Sequence, residues 1–114
     1  MNERRFEGRF LCADLVRIDW QAGVNPRTAE AVLEDISALG ACVQVEELIP
    51  PGTAISMLTT ESARFTGWVT YCVYRDYGYF VGIRFSNETR WSSGVFEPQH
   101  LTNLEELILV PALD

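Results

Sequence analysis

Apolar and polar residues alternate along much of the chain, and this two-residue period predicts β-strands. Val16, Ile18 and Trp20, for example, alternate with Arg17 and Asp19. We expect strands at residues 10–20, 28–36, 41–47, 53–60, 65–74 and 79–85. The alanines and glutamates of 28–36 also fit a short helix, so this segment has two interpretations.

Glycine, proline, asparagine and serine punctuate these segments. They indicate a loop at 21–26, a turn at 37–40, a break at 50–52 and a tight hairpin connection at 75–78. Near the C-terminus, residues 102–105 have the capping-box pattern Thr-Asn-Leu-Glu. Apolar residues then follow at helical spacing until Pro111, at Leu101, Leu104, Leu107 and Ile108. The pattern predicts a short C-terminal helix.

Short strands with little helix favour a small antiparallel barrel, because closure of a sheet removes the edges that would otherwise aggregate. The length of 114 residues is that of one domain with its own core. The sequence therefore predicts an all-β fold, a six-stranded antiparallel β-barrel with a short C-terminal helix, over residues 10–114. Residues 1–9 are expected to form a flexible N-terminal arm.

The chain is acidic overall, with 16 acidic and 9 basic residues and a formal net charge of -7. A negative domain is repelled by nucleic-acid backbones and anionic lipid, so we expect no binding to DNA or RNA. The apolar runs are far shorter than the roughly 18 residues that span a bilayer, so membrane insertion is not expected. The N-terminal residues do not resemble a secretory signal, and a cytoplasmic location is expected.

The residues that could support catalysis are sparse. His100, the single histidine, stands at the start of the predicted helix and forms no recognisable pair with a nucleophile. The sequence has neither a P-loop nor a Gly-x-Gly-x-x-Gly motif, so it predicts neither an enzyme nor a cofactor. Cys12, Cys42 and Cys72 are expected to be small buried apolar residues. A zinc site that joins them to His100 is disfavoured, because the sequence has no Cys-x-x-Cys pair.

Two short motifs carry the candidate ligand chemistry. Arg5 and Arg9 are four residues apart near the N-terminus, and every basic residue of the chain is an arginine. Asp35, Ser37 and Gly40 form the pattern Asp-x-Ser-x-x-Gly where the second predicted strand ends. Each motif alone has a simpler interpretation, either a solvated arginine pair or an Asx or Ser turn between strands.

Together with Gly-Trp-Val at 67–69 and Val-Gly-Ile-Arg-Phe at 81–85, these motifs resemble the PilZ domain family, whose signature is Arg-x-x-x-Arg followed by Asp/Asn-x-Ser-x-x-Gly. The resemblance extends from about residue 4 to the predicted C-terminal helix. It implies a six-stranded barrel that binds the bacterial second messenger cyclic di-GMP. In that family, an arginine immediately before the first motif arginine goes with a stacked pair of ligands. That position is Arg4 here, so two intercalated ligands are expected.

The residue types suit this ligand. A guanidinium can take a phosphate, or the adjacent O6 and N7 of guanine, in a bidentate way, so Arg5 and Arg9 are expected to close over the ligand. Asp35 supplies an acceptor for the N1–H and the amine of guanine, and the Ser37 hydroxyl can donate to phosphate or base. Gly40 is expected to let the chain turn and to let the backbone approach the ligand.

The leading hypothesis is a non-enzymatic receptor that relays the level of cyclic di-GMP to an unidentified partner protein through a ligand-induced conformational change. One alternative is a PilZ-like interaction module that binds no ligand, and exposure of the apolar residues 107–110 would indicate a homodimer. Another is a single-strand nucleic-acid binder that stacks bases on Trp68, Tyr71, Tyr77 and Tyr79. The net charge disfavours it, and these aromatic residues are expected to pack in the core and the hairpin.

Overall fold

The structure is a computed structural model that describes residues 10–76, 78–86, 89–92 and 94–98, together with the backbone of 102–103. This part of the chain contains strands and no helix, so it has no helix that could cross a membrane. The strands are β1 (Phe10–Ala22), β2 (Asn25–Ile36), β3 (Gly40–Val45), β4 (Ala54–Thr59), β5 (Arg64–Arg75), β6 (Gly78–Phe85) and β7 (Thr102–Asn103). The six predicted strands are therefore confirmed, each to within three residues at either end.

Strands β1 to β6 form a closed antiparallel barrel. They follow one another around the ring in the order β1, β2, β3, β6, β5, β4, and β4 pairs with β1 to close it. The predicted six-stranded barrel is thus confirmed. Thr102 and Asn103 of β7 pair with Leu11 and Phe10 at the start of β1. The rest of the predicted C-terminal helix lies outside the described residues.

The second predicted segment is a strand, and the helical interpretation of it is wrong. Its residues pair with β1, where Ala29 lies opposite Ile18 and Ala31 lies opposite Val16. Ala31 and Leu33 are both buried in the core, and their spacing of two residues is the period of a strand. The alanines fit a strand here because their small side chains occupy the inward positions between larger aliphatic residues.

The first connection is shorter than the loop predicted at 21–26. Ala22 pairs with Asn25, so that only Gly23 and Val24 remain in the turn between β1 and β2. Gly23 has a φ of +67°, a left-handed conformation that glycine adopts without steric cost. Two-residue hairpin turns require such a conformation, and the remaining loop residues are therefore incorporated into the strands.

Inward-facing side chains from all six barrel strands form one core. They are aliphatic, aromatic and sulfur-containing residues that contact one another across the barrel. The largest fully buried ones are Phe65, Ile18, Leu33, Ile36, Ile49, Met57, Val43, Val69 and Val81. Most of these residues lie on strands, but Ile49 lies on the connection between β3 and β4.

That connection closes one end of the barrel. β3 and β4 lie on opposite sides of the ring, so residues 46–53 must cross the end to join them. The side chain of Ile49 has no exposed surface and packs into the core. Leu48, its neighbour in the chain, is 59% exposed.

Residues that follow β6 cover the opposite end. Trp91 and Phe96 are buried, and the indole Nε1–H of Trp91 donates to the carbonyl oxygen of Phe96 at 2.7 Å. The ring of Phe10 meets the ring of Trp91 edge-on at 5.5 Å. The backbone N–H of Trp91 donates to Ala38 in the turn between β2 and β3. This end of the barrel therefore holds the start of β1 against the Asp-x-Ser-x-x-Gly segment.

Replacement of Ile49 by alanine is expected to lower the free energy of unfolding by about 2–5 kcal/mol, because it leaves a cavity under the crossing connection. The neighbouring change Leu48→Ala serves as the control and should alter stability by less than about 0.5 kcal/mol. Urea denaturation followed by fluorescence measures both. Equal effects of the two changes would contradict the assignment of Ile49 as the residue that closes this end.

Candidate ligand-binding site

The Asp-x-Ser-x-x-Gly segment forms the turn between β2 and β3. Asp35 and Ile36 end β2, and Gly40 begins β3. The backbone N–H of Ser37 donates to the carbonyl oxygen of Gly40 at 2.8 Å, and the Ser37 hydroxyl approaches the same oxygen at 3.4 Å. The motif therefore builds a turn, as its simpler interpretation predicts, and this turn holds Asp35 and Ser37 close to each other.

Gly40 is required by the packing of strands. A Cβ atom at this position would lie 2.4 Å from the carbonyl oxygen of Ile83 in β6, far inside normal contact distance. Gly40 pairs with Arg84, the next residue of β6. Gly40 takes part in the turn through its carbonyl oxygen, and close contact between β3 and β6 is a further requirement for glycine here. Its expected role in the approach to a ligand stays a prediction.

Carboxylates gather around the start of β1. Asp35 pairs with Leu11 in β1 and with Cys42 in β3, and a β-bulge separates it from Leu33 on the β3 side. Bulges re-aim side chains. The pKa of Glu34 is raised by burial and by the neighbouring charge of Asp35. The local potential is therefore negative, which favours a cationic group at this end of the barrel.

The thiol of Cys12 interacts electrostatically with carboxylates of the same group. Burial, followed by the charges of Asp14, Asp35 and Glu34, raises the pKa of Cys12 to about 12. Cys12 and Cys42 are buried and Cys72 is half-buried, so the prediction of buried apolar cysteines is confirmed for the first two. No cluster of three or more histidine, cysteine, aspartate or glutamate side chains suited to a metal ion occurs among the described residues.

Arg4, Arg5 and Arg9 lie outside the described residues, so their predicted role stays a prediction. Phe10, which follows Arg9 in the chain, pairs with Ile36, and Ile36 directly precedes Ser37. The covalent chain therefore leads from the first motif to the strand pair beside the second motif.

Two further residues extend this region: Arg84, which the sequence reasoning assigned to no site, and Trp68, which it assigned only to the base-stacking alternative. Gly40, Arg84 and Trp68 form a row across β3, β6 and β5, since Arg84 pairs with both of the others. Their neighbours Ile83 and Val69 point into the core, so the row lies on the outer surface. The alternation of 81–85 already signals an exposed Arg84, but its position beside Gly40 depends on the pairing of distant strands.

An aromatic side chain covers the neighbouring position of β6. A Cβ atom on Gly82 would lie 2.2 Å from the ring of Tyr71, so this ring rests against the glycine backbone. Tyr71 and Trp68 are 43% and 49% exposed. Tyr71 packs across the β5–β6 hairpin, as expected, but neither Tyr71 nor Trp68 is buried in the core. They face outward, beside Arg84, and present ring surface on which a planar group can stack.

No protein-family model matches the chain, and no curated protein matches it either. The function of the site must therefore be inferred from its geometry and chemistry.

Gly40→Ala is expected to destabilise the barrel by about 1–3 kcal/mol, because the added Cβ meets the backbone of β6 rather than a movable side chain. Gly94→Ala is the matched control, since the nearest atom to its Cβ would be the Ser92 Oγ at 3.8 Å. Thermal and urea unfolding compare the two variants. A Gly40→Ala protein as stable as Gly94→Ala would contradict the close contact of β3 and β6.

The raised pKa of Cys12 predicts a loss of stability in alkaline solution. The unfolded thiol ionises near the ordinary value of 9.0, whereas the folded thiol keeps its proton to about 12. Stability from this group is therefore complete below about pH 9 and falls between pH 9 and 12, by at most about 1.4 kcal/mol per pH unit. Urea unfolding under reducing conditions should show a steeper fall for the wild type than for Cys12→Ala. Equal slopes would contradict the shift.

Proposed function

We propose that this chain is a PilZ-like receptor domain that binds cyclic di-GMP at the Asp35–Gly40 turn. The observation that carries the proposal is the pairing of β1 with β2, in which Phe10 lies opposite Ile36. This pairing puts the residue that follows Arg-x-x-x-Arg beside the residue that precedes Ser37. The two motifs are separated in the sequence, but one strand pair connects them.

Charge supports a division of roles between the two motifs. Asp14, Glu34 and Asp35 make the end of the barrel negative, as the raised pKa values of Cys12 and Glu34 indicate. Such a surface repels phosphate unless cations offset it. In our proposal, Arg5 and Arg9 supply these cations and bond the phosphates, while Asp35 accepts from the N1–H and the amine of guanine.

The outer row beside Gly40 suits the bases of the ligand. Arg84 can donate in a bidentate way to O6 and N7 of guanine. The exposed indole of Trp68 offers a surface for base stacking, an interaction worth about 1–3 kcal/mol per base. The row begins at Gly40, so a ligand held at the turn can extend across β6 toward Trp68 on β5.

The output in this proposal is a change of surface. The arginine segment closes over the ligand, and the altered surface is recognised by a partner protein that responds to the messenger. The domain itself then needs no catalytic group. Arg4 adds a third guanidinium to the segment, and with it the site takes two intercalated cyclic di-GMP molecules.

Calorimetric titration with cyclic di-GMP tests the proposal. The wild type should bind with a dissociation constant on the order of micromolar, and Arg5→Ala, Arg9→Ala and Asp35→Asn should each weaken binding by about tenfold or more. Arg75→Ala is the matched control, because Arg75 ends β5 at the opposite end of the barrel. Two ligands should bind per chain, and Arg4→Ala should reduce this number to one.

GTP and GMP serve as selectivity controls and should not compete at similar concentrations. A flat titration for the wild type would overturn the proposal in favour of an interaction module that binds no messenger. Equal weakening by Arg75→Ala and Arg5→Ala would show that only net charge matters, which would overturn the assigned site.

A further inference from the structure

A second concave surface, distinct from the Asp35–Gly40 turn, lies on the outside of the barrel. It encloses about 920 Å³ and spans β2, β1, β4 and β5. With neighbouring strands about 4.8 Å apart, these four strands cover about 14 Å. We refer to this surface as the β1–β4 groove. It is long enough to hold an extended ligand rather than a single small ion.

Strand register builds a continuous polar row along the β1–β4 groove. Thr28 pairs with Asp19, Asp19 pairs with Ser56, and Ser56 pairs with Thr66. The row therefore crosses four strands with one hydroxyl or carboxylate on each. Trp68, two residues beyond Thr66 and on the same face, lines the groove next to this row and is half-exposed.

Neighbouring side chains orient the polar groups of the row. Ser56 Oγ accepts a hydrogen bond from Arg64 at 2.7 Å, and Asp19 Oδ2 accepts one from Arg17 at 3.3 Å. Thr66 Oγ1 lies 3.1 Å from the hydroxyl of Ser86. Each acceptor keeps lone pairs for a further bond, because a hydroxyl oxygen has two and a carboxylate about four.

Charges of both signs border the β1–β4 groove. Arg17 contacts Asp19, Arg27, a lining residue, forms an ion pair with Glu47 at 2.7 Å, and the guanidinium of Arg64 donates to Ser56. Asp19 adds a carboxylate at the middle of the polar row. A phosphate or a nucleic-acid strand would meet this carboxylate in a protein of net charge -7.

We propose that the β1–β4 groove binds a neutral oligosaccharide. The hydroxyl groups of Thr28, Ser56 and Thr66 can both donate and accept hydrogen bonds, as can the hydroxyl groups of a sugar. The row can therefore pair with a sugar chain. The indole of Trp68 packs against the apolar face of a sugar ring. Strand faces of small barrels are known platforms for oligosaccharides as well as oligonucleotides. The carboxylate of Asp19 at the middle of the row favours a neutral ligand over an anionic one.

This site is independent of the proposed messenger site except at one residue. Trp68 pairs with Ala54 on the groove side and with Arg84 on the side of Gly40, so both surfaces reach it. Asp19 and Thr28 belong to the groove, and Asp35 and Ser37 belong to the turn. Variants of these two pairs separate the sites.

The test uses the full chain with cellohexaose and maltohexaose, two neutral sugar chains of different shape, at millimolar concentrations. Trp20 and Trp91 are buried, each at 6% exposure, so a change of tryptophan fluorescence reports mainly on Trp68. Fluorescence serves the proteins that keep Trp68, and calorimetric titration serves all of them. At least one sugar should bind, and Trp68→Ala and Asp19→Ala should each weaken binding about tenfold or more, which is about 1.4 kcal/mol. Tyr74→Ala, an exposed aromatic residue outside the groove, is the control and should bind normally.

Each remaining outcome decides the proposal. Asp35→Asn and Ser37→Ala should keep sugar binding, and a loss in these variants would overturn the separate site. No change of fluorescence or heat with either sugar, in protein whose urea unfolding is normal, would overturn the proposal itself. An oligothymidylate of 15 nucleotides is titrated in parallel. Binding of this oligonucleotide through Trp68, without sugar binding, would replace the proposal with a nucleic-acid site.

Discussion

The pairing of β1 with β2 is the interaction on which the rest of the structure depends. It begins at Phe10 and Ile36 and continues to the turn at Gly23, so β1 is paired with β2 along almost its whole length. β1 then pairs with β4 on its other side, and this second pairing closes the ring. Because closure satisfies the backbone of every barrel strand, the sheet has an inside for the core and an outside for recognition.

Close strand contacts fix where recognition can occur. Gly40 and Gly67 are pressed against carbonyl oxygens of β6, and Gly82 lies under the ring of Tyr71. Gly67 and Gly82 are buried, so the neighbouring backbone and the Tyr71 ring leave no space for a side chain at these points. Trp68 and Arg84 lie beside these glycines, and the exposed aromatic residues of the described barrel, Trp68, Tyr71 and Tyr74, all belong to β5.

Alternation of side chains made the strands and the barrel predictable, and the Asp35–Gly40 turn lies where its sequence pattern indicates. The loop at 21–26 was predicted too long because Asn25 and Pro26 read as loop residues, whereas the pairing with β1 extends through both. The row from Gly40 to Trp68 was not predictable, since it depends on the register between distant strands. The exposure of Trp68 has the same cause, because composition does not reveal which face a tryptophan occupies.

The crossing connection at 46–53 has a consequence for how the chain reaches its native state. β3 does not pair with β4, the next strand in the chain, but with β6. Gly40 can therefore pair with Arg84 only when the segments between β3 and β6 are in place. Ordering so long an intervening loop costs conformational entropy before its contacts form. We expect local hairpins such as β1–β2 and β5–β6 to form early and the pairing of β3 with β6 to form late. The barrel therefore belongs with slow folders of high contact order rather than with rapid helical bundles.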